Sequence, residues 1–264
     1  MVLVARIGPA LGHHTEEHQP PGVLREIGWD QRLGAPVPLD LTFRDEAGNM
    51  VRFGDYLGQK PLILTLNYYE CPMLCPLVLD GLLRALRALP FTIGDQFNVA
   101  TVSIDPGETP ALAAAKKAHY VRGYGRDGAA AGWHFLTGEE AAIRQLTQAV
   151  GFRYAYDAAK DQYAHAAGIV VLTPQGRVAR YFYSIEFSPR DVRLALVEAA
   201  AGGIGSPIDQ FLLYCYQYDP ATGGYTLAVR RVLQLAGLLT VLGLGGFMLV
   251  MFRRERSPRS RIGG

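Results

Sequence analysis

The chain has 264 residues, of which 49% are hydrophobic, and its formal net charge is +2. This composition supports a sizeable core and excludes a disordered chain. The small charge, with no basic cluster interleaved with aromatic residues, predicts no nucleic-acid partner. With three cysteines, the chain has too few for a disulfide scaffold.

The first 35 residues lack hydrophobic periodicity, so residues 1–35 are predicted to form a mobile tail. The tail contains His13, His14 and His18 beside two glutamates. This set is compatible with weak metal binding, but a solvated polar stretch explains it equally well.

Residues 36–202 are predicted to form the main domain, which opens with a hairpin. The short runs 40–43 and 50–53 flank Glu46-Ala47-Gly48-Asn49, which has the composition of a turn.

Two cysteines, Cys71 and Cys75, follow a short apolar run at 61–66 that is typical of a buried strand. Pro76 suits the first position of a helix, which makes Cys75 the predicted N-cap and 77–89 the helix. The N-terminus of a helix favours a thiolate and lowers the pKa of a nearby cysteine. We therefore predict an exposed, functional pair rather than a buried structural one. The pair suits a soft metal or a disulfide, and the spacing does not choose between them.

Beyond the cysteine loop the predicted elements alternate between strands and helices. Asp105-Pro106-Gly107 marks a turn, and Thr137-Gly138-Glu139-Glu140 matches a capping box. The order predicts an α/β sandwich whose sheet is parallel at first and ends in an antiparallel hairpin. In chain order, the predicted elements are strand 97–104, helix 111–120, strand 133–136, helix 140–150, strands 169–172 and 178–183, and helix 188–201.

Three candidate ligands converge in this arrangement. Ligands bind beyond the carboxyl ends of parallel strands, which is where Cys71 and Cys75 lie. If strand 169–172 runs antiparallel to 61–66, His165 lies at the same edge. Two thiolates and an imidazole suit copper(I), while a three-ligand zinc site completed by water is the main rival. Without the thiols, His165 would be interpreted as a polar loop residue.

Other side chains near this edge have weaker claims. Asp105 is a candidate second-shell residue that orients His165 or a bound partner, although an Asp before Pro-Gly is most often a turn residue. Met73 is a weak candidate for a soft ligand, and burial against the helix explains it as well. His119 and His134 are interpreted as structural.

The C-terminal part contains 21 uncharged residues, 232–252, long enough for a membrane span. We predict a juxtamembrane segment at 203–228, with Cys215 buried in a structural role, and a transmembrane helix at 229–252. Five arginines in the tail 253–264, against two before the span, place that tail in the cytoplasm. The predicted location is the bacterial inner (plasma) membrane, single-pass, with the soluble domain on the periplasmic or outer face.

This location conflicts with the N-terminus, because residues 1–11 have no apolar core of the length that an export signal needs. Either a signal is missing from this sequence, or the chain is tail-anchored with its domain in the cytosol. We favour a missing signal, because the second arrangement puts the arginines on the wrong side.

Residues 31–201 resemble the SCO/SenC family of thioredoxin-like copper proteins that assist cytochrome c oxidase assembly. The resemblance rests on three motifs in the family's order: Cys71-Pro72-Met73-Leu74-Cys75-Pro76, Val102-Ser103-Ile104-Asp105-Pro106, and His165 ahead of the strand 169–172 and the turn at Gln175-Gly176.

The resemblance implies a thioredoxin-like sandwich, with a central mixed sheet flanked by helices. It implies that Cys71, Cys75 and His165 bind copper and that Asp105 lies near the site. It also implies the partner, cytochrome c oxidase subunit II, whose binuclear copper centre would receive copper or have its cysteines reduced.

The chain departs from the family in two respects. Many members have a histidine shortly before the first cysteine, where this chain has Tyr69-Glu70. Their usual anchor is N-terminal, whereas the predicted anchor here is C-terminal.

Three functions remain open from the sequence. The leading hypothesis is a membrane-anchored copper metallochaperone. The alternative is a thiol-disulfide oxidoreductase that uses Cys71 and Cys75 as redox-active cysteines without an obligatory metal. A structural subunit of a respiratory complex is the third.

Overall fold

The computed structural model describes residues 26–72, 74–205, 218–219, 224–225, 234, 237, 240–245, 247–248 and 251. Several predicted features lie outside these residues: the tail up to residue 25, Met73, Cys215, the basic tail 253–264 and most of the juxtamembrane segment. The histidines His13, His14 and His18 lie outside them as well.

A five-stranded mixed sheet lies at the centre, in the order β10-β9-β4-β5-β6. The parallel strands are β4 (Leu62–Asn67), β5 (Asn98–Ser103) and β6 (Trp133–Leu136). On the other side of β4 lie the antiparallel strands β9 (Ile169–Leu172) and β10 (Val178–Phe182). Every residue of β4 and β9 is buried, as expected for strands covered on both faces. The predicted mixed sheet and the antiparallel direction of β9 are confirmed.

Helices and loops cover the two faces of this sheet. The helices are α1 (Leu74–Arg87), α2 (Pro110–Tyr124), α3 (Ala129–Gly132), α4 (Glu140–Ala149) and α5 (Pro189–Ala200). Residues of α1, α2 and α5 share one core cluster with Ile63, whereas α4 belongs to the other cluster with Leu62 and Leu64. The alternation of neighbouring β4 residues between the two clusters follows from the strand period of two. The sheet is therefore sandwiched between two cores.

The predicted N-terminal hairpin is confirmed as β2 (Thr42–Arg44) and β3 (Met50–Arg52). Asp45 closes its turn, since Oδ1 accepts the N–H groups of Ala47 and Asn49 at 2.9 and 2.8 Å. A 3-10 helix, Phe53–Tyr56, follows and packs in the core beside α4.

A second sheet of three strands was not predicted. It consists of β1 (Gly28–Trp29), β7 (Phe152–Asp157) and β8 (Gln162–His165), in the order β1-β7-β8. Its first strand, β1, falls within the predicted tail. Trp29 ties this strand to the domain, because its ring packs on Phe152 at 4.6 Å and its Nε1 donates to Ala167 O at 3.2 Å. Residues 28–35 thus belong to the folded domain, which differs from the predicted mobile tail.

The predicted transmembrane helix at 229–252 is wrong for the part of the chain that the structure describes. None of the helices formed by described residues has both the length and the apolar character that a membrane span needs.

Candidate metal centre

The cysteines lie where β4 gives way to α1. The described helix begins at Leu74, so Cys75 lies in its first turn and is not the predicted N-cap. Proline is tolerated throughout the first turn of a helix. Pro76 therefore indicates that a helix begins nearby, but it does not identify the first residue of that helix. Cys71 and Cys75 are 8% and 2% exposed, so the predicted exposed pair is in fact buried, although Glu70 and Pro72 of the same turn are exposed.

Backbone groups hold both sulfurs in place, and neither Cys71 nor Cys75 forms a disulfide. The N–H of Cys75 donates to Cys71 Sγ at 3.4 Å, and the N–H of Tyr68 donates to Cys75 Sγ at 3.5 Å. The loop is closed by the N–H of Cys71, which donates to Tyr68 O at 3.4 Å. Each sulfur therefore accepts a backbone hydrogen bond from the segment between β4 and α1.

His165 reaches the thiols from the second sheet. It is the last residue of β8 and is 6% exposed. Its Nε2 lies 3.0 Å from Cys75 Sγ, and its Nδ1 lies 3.1 Å from the carbonyl oxygen of Ala166. A carbonyl only accepts, so Nδ1 carries the hydrogen and, in the neutral ring, Nε2 directs its lone pair toward the sulfur. The rings of Tyr68 and Phe152, about 6 Å away, enclose the imidazole.

The three side chains form a compact set of donors. The ligand atoms of Cys71, Cys75 and His165 all lie within 4.8 Å of one another, and all three residues are buried. Thiolate sulfur and imidazole nitrogen are the donors that copper(I) prefers, and a structural zinc site normally has four protein ligands. Within the described part of the chain, no other group of three or more His, Cys, Asp or Glu side chains has this arrangement. The residues present fit copper.

The thiol of Cys75 is more weakly acidic than predicted. Burial raises its pKa above the ordinary value, and the hydrogen bond and charge of Cys71 raise it further. The hydrogen bond from the Tyr68 N–H opposes this shift without reversing it. The expected lowering by the helix end is therefore wrong, because the loss of water around a buried thiol outweighs the helix dipole.

Asp105 makes turn contacts. Its Oδ1 accepts the N–H of Gly107 at 2.8 Å, the pattern of an Asx turn. Among the described residues no hydrogen bond or ion pair joins Asp105 to His165, whose Nδ1 faces Ala166 instead. The second-shell role of Asp105 stays a prediction without a contact to support it.

A buried acidic residue, Glu108, was missed. It is 7% exposed, and its Oε1 accepts the N–H of Glu70 at 2.7 Å while its Oε2 accepts the hydroxyl of Ser103 at 2.6 Å. Burial raises the pKa of Glu108, and the hydrogen bonds from Ser103, Tyr69 and Glu70 oppose that shift. The available signal was its position between the Asp105 turn and the helix-capping Thr109, at the carboxyl edge of β5. Glutamate is rarely buried, so the sequence alone favoured a solvated side chain.

Comparison with known proteins places this geometry in a family. The SCO1/SenC family model matches residues 30–200. The chain belongs to the SCO1/SenC family. The predicted resemblance is confirmed, and a comparison with the curated proteins gave no match.

Solved structures with the same fold cover the matched region of this SCO1/SenC protein. A candidate electron transfer protein of Aquifex aeolicus VF5 has 29% identity and a TM-score of 0.57, over 65% of this chain and 96% of its own. A candidate electron transport protein of the same organism has 30% identity and a TM-score of 0.54, over 65% and 99%. ScoI of Arabidopsis thaliana, solved with copper bound, has 17% identity and a TM-score of 0.50, over 65% and 99%, and supports the fold alone.

These findings bear out two predictions. The α/β sandwich with its mixed sheet is thioredoxin-like, and copper is the cofactor that the family and the Cys-Cys-His group support. The individual ligand roles of Cys71, Cys75 and His165 stay predictions.

Proposed function

We propose that this SCO1/SenC protein binds one copper(I) ion through Cys71, Cys75 and His165 and passes it to subunit II of cytochrome c oxidase, at its binuclear copper centre. The observation that carries the proposal is the meeting of three buried soft donors within 4.8 Å. Copper is the cargo in this function.

The protonation of the site favours this role. Both cysteines must lose their protons to bind copper, and burial raises the pKa of Cys75. Loading therefore releases protons, so apparent affinity for copper(I) rises with pH. The Nδ1 of His165 is tied to Ala166 O, which keeps Nε2 available to a metal.

The ligand set is tested by anaerobic copper(I) titration against a competing chelator. We expect one equivalent to bind, and Cys71→Ala, Cys75→Ala and His165→Ala each to weaken binding by about 10-fold to 100-fold or more, the size seen when even outer-shell partners are lost. His119→Ala, on the exposed face of α2, is the matched histidine control. Wild-type affinity after the His165 change would refute the three-ligand site.

Delivery is tested with a soluble, copper-free domain of subunit II. Mixing with the loaded protein should move copper to that domain, whereas the loaded protein mixed with a subunit II domain lacking its cysteines should retain its copper. Retention of copper in both mixtures would contradict the delivery step.

The proposed place of action is the periplasmic or outer face of the bacterial inner membrane, where we propose the domain meets subunit II. Protease added to intact spheroplasts should then digest the domain, while a cytosolic marker protein survives. Protection of the domain until lysis would exclude this location.

A second function, reduction of the subunit II cysteines, is favoured by one observation. Cys71 and Cys75 are thiols outside any disulfide whose sulfurs lie within 4.8 Å of each other, and the N–H of Cys75 donates to Cys71 Sγ. A thiolate of this pair would attack the partner's disulfide, the second thiol would then displace the partner's remaining sulfur, and the pair would end as a disulfide with both electrons transferred. Turnover with a subunit II disulfide that survives His165→Ala would favour this function over copper transfer.

A further inference from the structure

Glu108 lies outside the ligand set but touches the loop that carries the first thiol. Its carboxylate accepts the N–H of Glu70, the residue immediately before Cys71, at 2.7 Å. The side chain thus binds the backbone of the segment that joins β4 to the first thiol.

A chain of hydrogen bonds fixes this carboxylate from the other side. The N–H of Asp105 donates to Ser103 Oγ at 3.1 Å, and the Ser103 hydroxyl donates to Glu108 Oε2 at 2.6 Å. The hydroxyl has a single hydrogen, and the other acceptor in reach, Asp105 O, is farther away at 3.2 Å. Ser103 therefore directs its hydrogen to Glu108 and locks it against the end of β5.

The Tyr69 side chain anchors the same peptide from within the core. Its hydroxyl contacts Thr101 O at 3.0 Å, within β5, and Leu136 O at 2.7 Å, at the end of β6. The backbone at Tyr69-Glu70 is thus held between the sheet and Glu108, and Cys71 is the next residue. A shift at this peptide would move Cys71 directly, because no residue lies between them to absorb it.

We propose that Glu108 is a positioning residue that fixes the Tyr69-Glu70 backbone and so holds the Cys71 thiol within reach of Cys75 and His165. The inference rests on the proposed copper function and names a residue that sets the geometry of that site. Keeping a carboxylate out of water is costly unless hydrogen bonds replace the lost water, and Glu108 accepts one from the Glu70 N–H and one from the Ser103 hydroxyl.

The test compares copper(I) affinity in three variants. Glu108→Ala removes the acceptor, and we expect an affinity loss of about 10-fold, the lower end for partners that act through a ligand. Glu108→Gln keeps the length and one acceptor oxygen for the Glu70 N–H, while its amide donates to Ser103 Oγ, so we expect affinity within about 3-fold of wild type. Glu139→Ala removes an exposed glutamate with no capping bond and should leave affinity unchanged.

Thermal unfolding midpoints separate positioning from general stability. Positioning predicts that Glu108→Ala loses affinity even at temperatures where circular dichroism shows it fully folded, and that Glu108→Gln regains it. Wild-type affinity in Glu108→Ala, or an affinity loss that Glu108→Gln does not restore, would overturn the inference. If Glu108→Ala does not fold, Ser103→Ala and Glu108→Asp decide: each must weaken binding, and wild-type affinity in both would overturn it.

Failure of the proposed function gives a different pattern. In that case wild-type protein binds no copper(I), or Cys71→Ala binds as well as wild type. Failure of the Glu108 inference leaves both of those results intact and changes only the Glu108 series.

Discussion

Two aromatic side chains, Tyr69 and His134, show how polar groups are accommodated in this core. Tyr69 is 3% exposed, and its hydroxyl lies between the carbonyl oxygens of Thr101 and Leu136. Burial, followed by the charges of Glu108 and Glu46, raises its pKa well above the ordinary value, so the hydroxyl stays protonated as a donor. His134 is held in the neutral form by its surroundings.

We expect Tyr69→Phe to lower the free energy of unfolding by about 1–3 kcal/mol, because the buried hydroxyl no longer donates its hydrogen to a carbonyl oxygen. Urea denaturation measures the change. Tyr156→Phe is the control, since Tyr156 is 53% exposed and the same substitution should cost under about 0.5 kcal/mol. Equal losses in both variants would contradict the role of the buried hydroxyl.

His134 gives a prediction for pH. Its ring packs on Tyr56 with centroids 4.1 Å apart. Burial first, and then the charge of Lys117, lower its pKa from 6.5 to about 4, against the opposing charges of Glu46 and Asp45. The unfolded chain therefore binds the proton first as the pH falls. The stability contributed by neutral His134 is complete above pH 6.5 and is lost as the pH falls toward 4.

Relative to His134→Gln, wild-type protein should lose about 2 kcal/mol of unfolding free energy between pH 7 and pH 5, as an upper value. Urea denaturation of both proteins at the two pH values measures this loss. The contributions of carboxylates, which are present in both proteins, cancel in the difference. If the free energies of unfolding of the two proteins change equally with pH, the lowered pKa of His134 is contradicted.

At the scale of elements, α1 lies unusually close to the segment before α5. A Cβ built on Gly81 would lie 1.8 Å from the carbonyl oxygen of Ile185, so the helix and that backbone touch through the missing side chain. This contact fixes α1, and with it Cys75, against the rest of the domain. The contact explains a glycine inside a helix, where it otherwise costs about 1 kcal/mol relative to alanine.

Gly81→Ala should destabilise the protein by about 1–3 kcal/mol, because the backbone of 185–186 must move and this overpacking exceeds the gain in helix propensity. Gly123→Ala in α2 is the matched control. The nearest atom there is the end of the Leu83 side chain at 3.0 Å, which can rotate away, so stability should stay the same or rise. Thermal denaturation of both variants tests the difference, and a stabilised Gly81→Ala would disprove the close contact.

The elements also show what the sequence predicts and what it does not. The strands β4, β5, β6, β9 and β10 and the main helices were predictable because their apolar runs are bounded by clear turns and caps. Strands β7 and β8 were not, since they are rich in tyrosine and only partly buried, and such segments lack a distinctive period. Their partner β1 has only two residues, too few for any pattern.

The candidate site, too, has features that the sequence predicts and features that it does not. The spacing of Cys71 and Cys75 at the end of β4, and the antiparallel direction of β9, were enough to bring His165 to the thiols. The burial of the two cysteines, the raised pKa of Cys75 and the buried Glu108 depend on the packing of segments that are distant in sequence, such as Glu108 with the Glu70 N–H and His165 with Cys75. Local patterns carry no information about such contacts.

At the scale of the whole molecule, the site joins two sheets. The thiols belong to the end of the five-stranded sheet, and His165 ends a strand of the three-stranded sheet. A metal held by all three residues binds the folded chain and not the unfolded one, so it stabilises the fold by mass action.

Copper(I) at a free concentration 100 times its dissociation constant should raise the free energy of unfolding by about 2.7 kcal/mol. Calorimetry under anaerobic conditions measures the rise in the unfolding midpoint. For Cys71→Ala and Cys75→Ala, a 10-fold to 100-fold loss of affinity should reduce the rise at the same copper concentration to about 1.4 to 0.4 kcal/mol. An equal rise in these variants would mean that copper binds elsewhere.

The placement of His165 on a separate sheet has a consequence for local motion. In the bare protein, the β7–β8 hairpin is joined to the thiol loop by side-chain packing and by the contact between Cys75 and His165. Copper bound to both residues would replace that contact and link the two sheets through its ligands. Amide hydrogens of β7 and β8 should then exchange with deuterated solvent more slowly in loaded protein, while those of the distant α5 keep their rates. Copper held by His165 and the thiols would therefore couple the stability of the β7–β8 hairpin to that of the loop that follows β4.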